Sequence, residues 1–434
     1  MEPLLFSVDE NPPYGRSVLY AVQWLLIVLP LITVTSNLMA SFLGMDLMQA
    51  TVLFQRFLLV VGAVTAVQCL AGHRYPLVDG PSAALLLSVA VLSGDGLAAV
   101  SGGMLVGAVL LLLIGAFGLV QRIQPLFTDR VVGVVLLLIS TTLLPFLYPM
   151  VIGVSDGKPQ GDPWVLAFSH IVILAIILLS HWTRGFSSNL SIFIGILLGF
   201  SMMFAMGRID LSAAVSLPWF GVPKPFLGPR PVFELPAILS FLLAYMAVLI
   251  NGLGSYLAVA EVVGKDGLKR KIERGIAFTG VGGLAAALFG VVGTVSYSLS
   301  PGVILVTRVG SRFPVLICGL FLMVLAFLQK PGAVLASIPD SVVGAALFVT
   351  LAAQMGVGIS LVTRGGNEMT VRDYLVIGLP ILMGTAASML PPQFLTMFPA
   401  PTRALMGNGL IVGIVLVMLL EHVVLRQKSV VSSQ

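Results

Sequence analysis

Along the chain, apolar runs alternate with short clusters of Gly, Pro and charge. A helical membrane crossing needs about 20 predominantly apolar residues. On that measure crossings fall at residues 18–39, 51–70, 77–92, 97–120, 131–151, 164–182, 190–206, 233–263, 275–292, 301–310, 314–328, 338–358, 373–390 and 405–425, fourteen in all. The longest stretch of loop composition, 208–232, is too short and too rich in Pro and Gly to bury a core of its own. The pattern therefore predicts an all-α integral membrane bundle without an extramembrane domain.

Two of these crossings are short and interrupted. One reads Tyr75-Pro76-Leu77-Val78-Asp79-Gly80-Pro81-Ser82-Ala83-Ala84, the other Ser296-Tyr297-Ser298-Leu299-Ser300-Pro301-Gly302, and each leads into an apolar half-helix. They are the third and tenth crossings, seven apart. Broken segments at matching places in two halves are what an inverted seven-plus-seven repeat predicts, and such pairs point to the binding site of a secondary transporter. Extended backbone at membrane depth is tolerated only where protein buries it or a cavity borders it. A Pro opening a half-helix costs no hydrogen bond, because that N–H would be unpaired anyway. The alternative reading is a pair of Pro-kinked spanning helices.

Composition sharpens this picture. Of the 434 residues 58% are apolar and 9% charged, against about 45–50% and about 25% in soluble domains, so a soluble globular protein is excluded. With a cytoplasmic N-terminus the inner loops collect Arg16, Arg74, Arg122, Arg130, Arg184, Lys265, Lys269, Arg270, Lys271, Arg274, Arg308, Arg312, Arg364, Arg372, Arg426 and Lys428. The outer loops hold only Lys158, Arg208, Lys224, Arg230, Lys330 and Arg403. The positive-inside rule then puts both termini in the cytoplasm of a cell (inner) membrane protein. The same bias accounts for the net charge of +5, so no nucleic-acid partner is expected. The N-terminus is acidic and Pro-rich, unlike a cleavable signal. Cys69 and Cys318 lack metal or redox spacing and read as small buried hydrophobes. No phosphate-cradling, nucleophile-elbow or paired-His motif occurs, so neither an enzyme nor a cofactor is expected.

With these features in place the sequence resembles the nucleobase/ascorbate transporter family of uracil and xanthine permeases. The resemblance is carried by Asp9-Glu10-Asn11-Pro12-Pro13 followed by Gln23, and by Pro76, Gly80, Ser82 and Ala84 in the third crossing. It continues with Gly254, Tyr256 and Ala258 after Asn251, Arg274-Gly275, Tyr297, and Gly302 separated by four residues from Thr307-Arg308. The departures fall on the family's base-binding positions. Asn251 stands for the eighth-crossing Glu, Ser255 for the Asp that often follows, and Leu299 and Ser300 for the tenth-crossing Glu or Gln and Asn. Trp24 replaces the first-helix His, and Ala83 the aromatic that packs on the base.

The resemblance implies a core of residues 1–130 and 233–332 moving against a gate of 131–232 and 333–434, in a homodimer. It implies a secondary active permease for a nucleobase, with uracil transport or an anion carrier on the same fold as alternatives. The expected substrate-binding residues are Gln23, Trp24, Ser82, Ala83, Ala84, Asn251, Ser255, Tyr297, Leu299, Ser300 and Gly302. Opposed half-helices would offer the amides of Ser82, Ala83 and Ala84 on one side, and of Ser300, Gly302 and Val303 on the other. Asn251 and Gln23, polar inside apolar crossings, should face a ligand or a protein partner. Asp79, the one carboxylate beside the broken crossings, is the candidate carrier of a symported proton, the expected coupling ion. Replacing an aromatic by Ala83 and a Glu by Leu299 favours a bicyclic purine such as xanthine or urate. His73, His170, His181 and His422 form no metal-spaced cluster and read as packing or interface residues.

Overall fold

The computed structural model describes residues 4–92, 96–154, 158–182, 190–225, 230–364 and 369–425. Arg184, Arg426 and Lys428, counted above among the inner-loop charges, lie outside the described residues. The chain is mostly helical, and among the described residues eight helices are long and apolar enough to cross a membrane.

The elements that position the site run as follows. Helix α1 (Tyr14–Phe42) begins directly after Pro12-Pro13 and carries Pro30 inside it. Helix α2 (Leu47–Leu70) opens on a capping box in which the Asp46 carboxylate accepts the Gln49 N–H and the Gln49 side chain accepts the Asp46 N–H, satisfying two otherwise orphaned donors. Strand β1 (Asp79–Pro81) leads into half-helix α3 (Ala83–Leu92), followed by α4 (Leu97–Ala116). The apolar run expected to cross at 131–151 is one span, Asp129–Ile152, jointed at Leu143 into α5 (Asp129–Thr142) and α6 (Leu144–Ile152). Pro145 has no N–H to continue the ladder, and the helix restarts around it.

Next come α7 (Pro163–Trp182), α8 (Ser191–Ala205), α9 (Leu235–Val263) and α10 (Leu268–Phe289). Strand β2 (Thr294–Ser296) and half-helix α11 (Ser300–Thr307) form the second broken segment. The chain finishes with α12 (Phe313–Leu325), α13 (Gln329–Ala336), α14 (Asp340–Val362), α15 (Val371–Ser388) and α16 (Gly409–Leu419), whose end loosens into a π turn at Leu420–Val424.

Packing is closest where small residues let backbones meet, the usual device between helices in lipid. A Cβ on Gly62 of α2 would lie 2.6 Å from the Gly319 carbonyl of α12, and one on Gly319 would lie 2.8 Å from the Gly62 carbonyl. The α4 and α10 pair is built alike, with Gly115 against the Ala277 backbone and Gly280 against that of Leu112. Elsewhere α4 also packs on α9, α1 on α12, α5 on α14, α7 on α8, and α15 on α16. Buried Asp373 and Glu421 are neutralised by Arg130 and Arg372 at 3.1 and 2.8 Å, joining α5, α15 and the π turn. Arg56, inside an apolar helix, reaches out to donate to the Lys224 carbonyl at 2.8 Å, the snorkelling that its long stem permits.

Candidate functional site: a cavity between two broken segments

The two strands pair antiparallel in the middle of the bundle, Asp79 opposite Ser296, Gly80 opposite Val295 and Pro81 opposite Thr294. The Tyr297 N–H donates to the Val78 carbonyl and the Ser82 N–H to the Gly293 carbonyl, each at 3.0 Å. The two extended pieces thus satisfy one another's backbone groups where water is scarce. Gly80 is required by its neighbour: a Cβ there would lie 2.2 Å from the Tyr297 ring. That ring is held across the strand by its hydroxyl, which donates to the Pro81 carbonyl at 3.1 Å.

Beside this ribbon lies a cavity of about 380 Å³, bounded by α1, α3, α9 and the second broken segment on one side and by α5, α7, α8 and α14 on the other. Its wall is apolar apart from a few hydroxyls and two amides, and no carboxylate, ammonium or guanidinium lines it among the described residues. A cavity of this size with a small number of placed polar groups is the form of a small-molecule site.

Of the residues expected to bind substrate, Ser82, Ala83, Ala84, Asn251, Tyr297 and Leu299 line the cavity. Ser82 caps α3: its Oγ accepts the Leu85 N–H at 3.4 Å. The amides of Ala83 and Ala84, the first two residues of α3, have no acceptor within their own helix. Asn251 is half-buried at mid-helix, and no hydrogen bond of its side-chain amide to another described residue is present.

The remaining candidates sit elsewhere. Trp24 is packed in the core, and Gln23 is half-buried outside the cavity wall. The part of α1 that does reach the wall begins at Ile27 and ends at Thr35, so Gln23 lies one helical turn, roughly 6 Å, before its nearest wall residue. Ser255 is buried behind the wall, its Oγ within 2.8 Å of the Ser296 carbonyl and 3.0 Å of the Asn251 carbonyl. Ser300 is turned away, its Oγ accepting the Val78 N–H at 3.4 Å. Its own N–H donates to the Tyr297 carbonyl, the next residue is a Pro, and Gly302 and Val303 are not in the wall. The two half-helices thus differ: α3 brings its first residues, Ala83 and Ala84, to the wall, with the Ser82 amide before them bonded to the Gly293 carbonyl, whereas the first amide of α11 is bonded to the Tyr297 carbonyl and the next residue is Pro301.

Asp79 is not in the cavity wall either. It is fully buried behind the ribbon, its Oδ1 accepting the Ser296 hydroxyl at 2.8 Å and its Oδ2 lying 3.8 Å from His73 Nε2. His73, read from the sequence as a packing or interface residue near a crossing end, is completely buried in contact with this strand. Sequence reasoning also passed over Thr35, Thr350 and Gln354, which line the wall from α1 and α14. The available signal was Gln354, a polar residue in the middle of an apolar crossing, as Asn251 is.

Comparison with known proteins agrees with this architecture. A family model described as "Permease family" matches residues 15–393. The uric acid transporter UacT of Escherichia coli is 26% identical over 416 residues, covering 94% of this chain and 86% of that protein. The uric acid permease PucK of Bacillus subtilis is 27% identical over 380 residues, 86% of each. Among solved structures, the transmembrane domain of the cyanobacterial bicarbonate transporter BicA superposes with a TM-score of 0.62 at 14% identity, covering 92% of this chain and 96% of that one. At that identity the likeness concerns the fold alone. A multi-pass helical bundle, paired broken segments around a central cavity and a family match over most of its length make this chain a member of the permease family that its motifs resemble, the nucleobase/ascorbate transporters.

Proposed function

We propose that this permease is a secondary active carrier of a purine base of the xanthine or urate class, moving it together with a proton. The observation that carries the reading is the Asn251 amide, without a side-chain partner among the described residues, in the same wall as the open amides of Ala83 and Ala84. An amide both donates and accepts, which suits the lactam edge of a base, while two backbone N–H groups suit a carbonyl oxygen. The apolar remainder of the wall, including Ala83 and Leu299, suits the faces of a bicyclic ring. Relatives named as uric acid permeases favour the same substrate class.

The reading includes fourteen crossings in a seven-plus-seven inverted repeat, and the packing supports it. Shifting each crossing by seven exchanges the α4–α10 contact with the α2–α12 contact, α4–α9 with α1–α12, and α7–α8 with α15–α16, while α5–α14 maps onto itself. A core of residues 1–130 and 233–332 would then move against a gate of 131–232 and 333–434, with the cavity on their boundary. Both termini would lie in the cytoplasm of a cell-membrane protein that pairs as a homodimer.

The test is uptake into proteoliposomes of the purified protein. Saturable accumulation of xanthine or urate, driven by an imposed pH gradient and poorly inhibited by uracil, is the expected result. Uracil taken up in preference to either purine, or uptake that never saturates, would overturn the reading.

A further inference from the structure

His73 and Asp79 form a titratable pair that the cavity does not use. Both are fully buried, and His73 Nε2 and Asp79 Oδ2 face each other at 3.8 Å, each without a hydrogen-bond partner among the described residues. The separation is too long for a direct hydrogen bond, so the two polar atoms face each other without bonding. The histidine's protonation is set by its other nitrogen: Nδ1 accepts the Tyr75 backbone N–H at 3.0 Å. A backbone amide always donates, so Nδ1 must keep its lone pair, and the ring's proton sits on Nε2, aimed at the carboxylate. A second proton on the ring would break the Tyr75 bond.

The charged and titratable groups around the pair do not neutralise it. Cys69 of α2 donates to the Tyr75 carbonyl, Tyr256 of α9 places its ring 5.3 Å from that of His73, and its hydroxyl lies 3.3 Å from Ser296 Oγ. The cations are engaged elsewhere. Lys271 of α10 sits over the Tyr75 ring at 4.4 Å, Arg312 pairs with Asp9 and the Cys69 carbonyl, and Arg74 donates to the Leu70 carbonyl. The Asp79 carboxylate is left with one serine hydroxyl at 2.8 Å and an imidazole nitrogen at 3.8 Å.

We propose that His73 and Asp79 are a one-proton site walled off from the substrate cavity. Asp79 takes and releases the proton there, while His73 stays neutral and sets the carboxylate's affinity for it. Loading forms one O–H bond at Asp79 Oδ2 with a proton delivered from water and takes the pair from a charge of −1 to 0. Release breaks that bond and returns the proton to water, and no other bond changes. His73 is a positioning residue: its N–H favours the carboxylate form, so removing it raises the affinity of Asp79 for a proton.

The cavity can sense the charge through a short physical route. Ser296 donates to Asp79, its carbonyl accepts the Ser255 hydroxyl, and Ser255 lies one helical turn from Asn251. Val295 and Tyr297, the neighbours of Ser296, are in the cavity wall. That the proton moves with a purine rests on the function proposed above; that the site binds a proton does not.

The experiment therefore has two arms, run on the full chain in proteoliposomes. Without substrate, infrared difference spectra across a pH titration follow the carboxylic C=O stretch. A band that titrates in the unaltered protein should vanish in Asp79→Asn. Its midpoint should move to higher pH by about one unit or more in His73→Leu, a tenfold change in proton affinity, and return toward the original in His73→Gln, which restores an N–H donor. A spectrum unchanged in Asp79→Asn, or a midpoint unmoved in His73→Leu, overturns the proposal. Should His73→Leu not fold, the nearly isosteric Asp79→Asn decides alone. In the second arm Asp79→Asn should keep xanthine counterflow and lose accumulation driven by a pH gradient. Accumulation at the original level removes the coupling role. If the unaltered protein binds neither xanthine nor urate, the purine reading falls while the first arm still decides the proton site.

Discussion

The two broken segments start from similar sequence and end in different roles. Each has a strand of three residues, a Pro and a short apolar helix, and they pair as equals across the ribbon. In the first, Pro81 precedes the helix, so the amides of Ala83 and Ala84 remain, on two residues of the cavity wall. In the second, Pro301 is inside the first turn, where it deletes one amide, and the Tyr297 carbonyl takes up the amide before it. A Pro placed three positions later relative to the helix start thus turns an end that keeps its first amides into one whose first amides are bonded or deleted. The serines divide in the same way: Ser82 borders the cavity, while Ser300 fastens the second segment to Val78 of the first.

Breaking this asymmetry should show first at the glycines. Gly80→Ala drives a methyl into the Tyr297 ring, whose hydroxyl is tied to Pro81, and should cost about 3 kcal/mol or more through overpacking. Thermal unfolding in detergent would then show a large loss of stability. Next in size is Ala83→Phe, which fills the open side: purine affinity should fall by about 1–3 kcal/mol with the unfolding temperature little changed, as calorimetric titration would report. Asn251→Ala removes the wall amide and should weaken binding by about 1 kcal/mol, again without loss of stability.

Smaller effects sharpen the contrast. Ser82→Ala and Ser300→Ala each remove a hydroxyl that accepts a backbone N–H, and each should lower stability by about 1 kcal/mol. Only the first should also change purine affinity; equal effects on binding from both would mean that the second half-helix reaches the ligand after all. Smallest is Gly302→Ala, where nothing lies within 4 Å of the new methyl and stability should shift by less than about 0.5 kcal/mol, against the collapse expected at Gly80.

Much of this molecule was legible one residue at a time. Crossing length, apolar composition and the two interruptions are local properties, because lipid forces each spanning segment to satisfy its own backbone. The family resemblance located the wall residues Ser82, Ala83, Ala84, Asn251, Tyr297 and Leu299 because each lies on the ribbon, at the start of α3 or on the helix behind it. Gln23 lies one turn before the wall: polarity inside an apolar helix signals a need for company, and a sequence does not say whether a ligand or a protein group keeps it.

Three features belonged to the tertiary structure alone. Which half-helix opens to the cavity depends on the Tyr297 carbonyl reaching the Ser300 amide across a turn. The contribution of Thr350 and Gln354 depends on α14 packing opposite α1, a contact between helices some three hundred residues apart. The meeting of His73 with Asp79 requires the chain between α2 and β1 to fold back under the strand. The sequence by itself determined a membrane bundle with two interrupted segments, because hydropathy and proline geometry act within a single turn or strand. Which groups those interruptions present to a ligand, and which they bury against a proton-binding pair, was decided only in three dimensions, where long-range packing chooses the face each short polar side chain can reach.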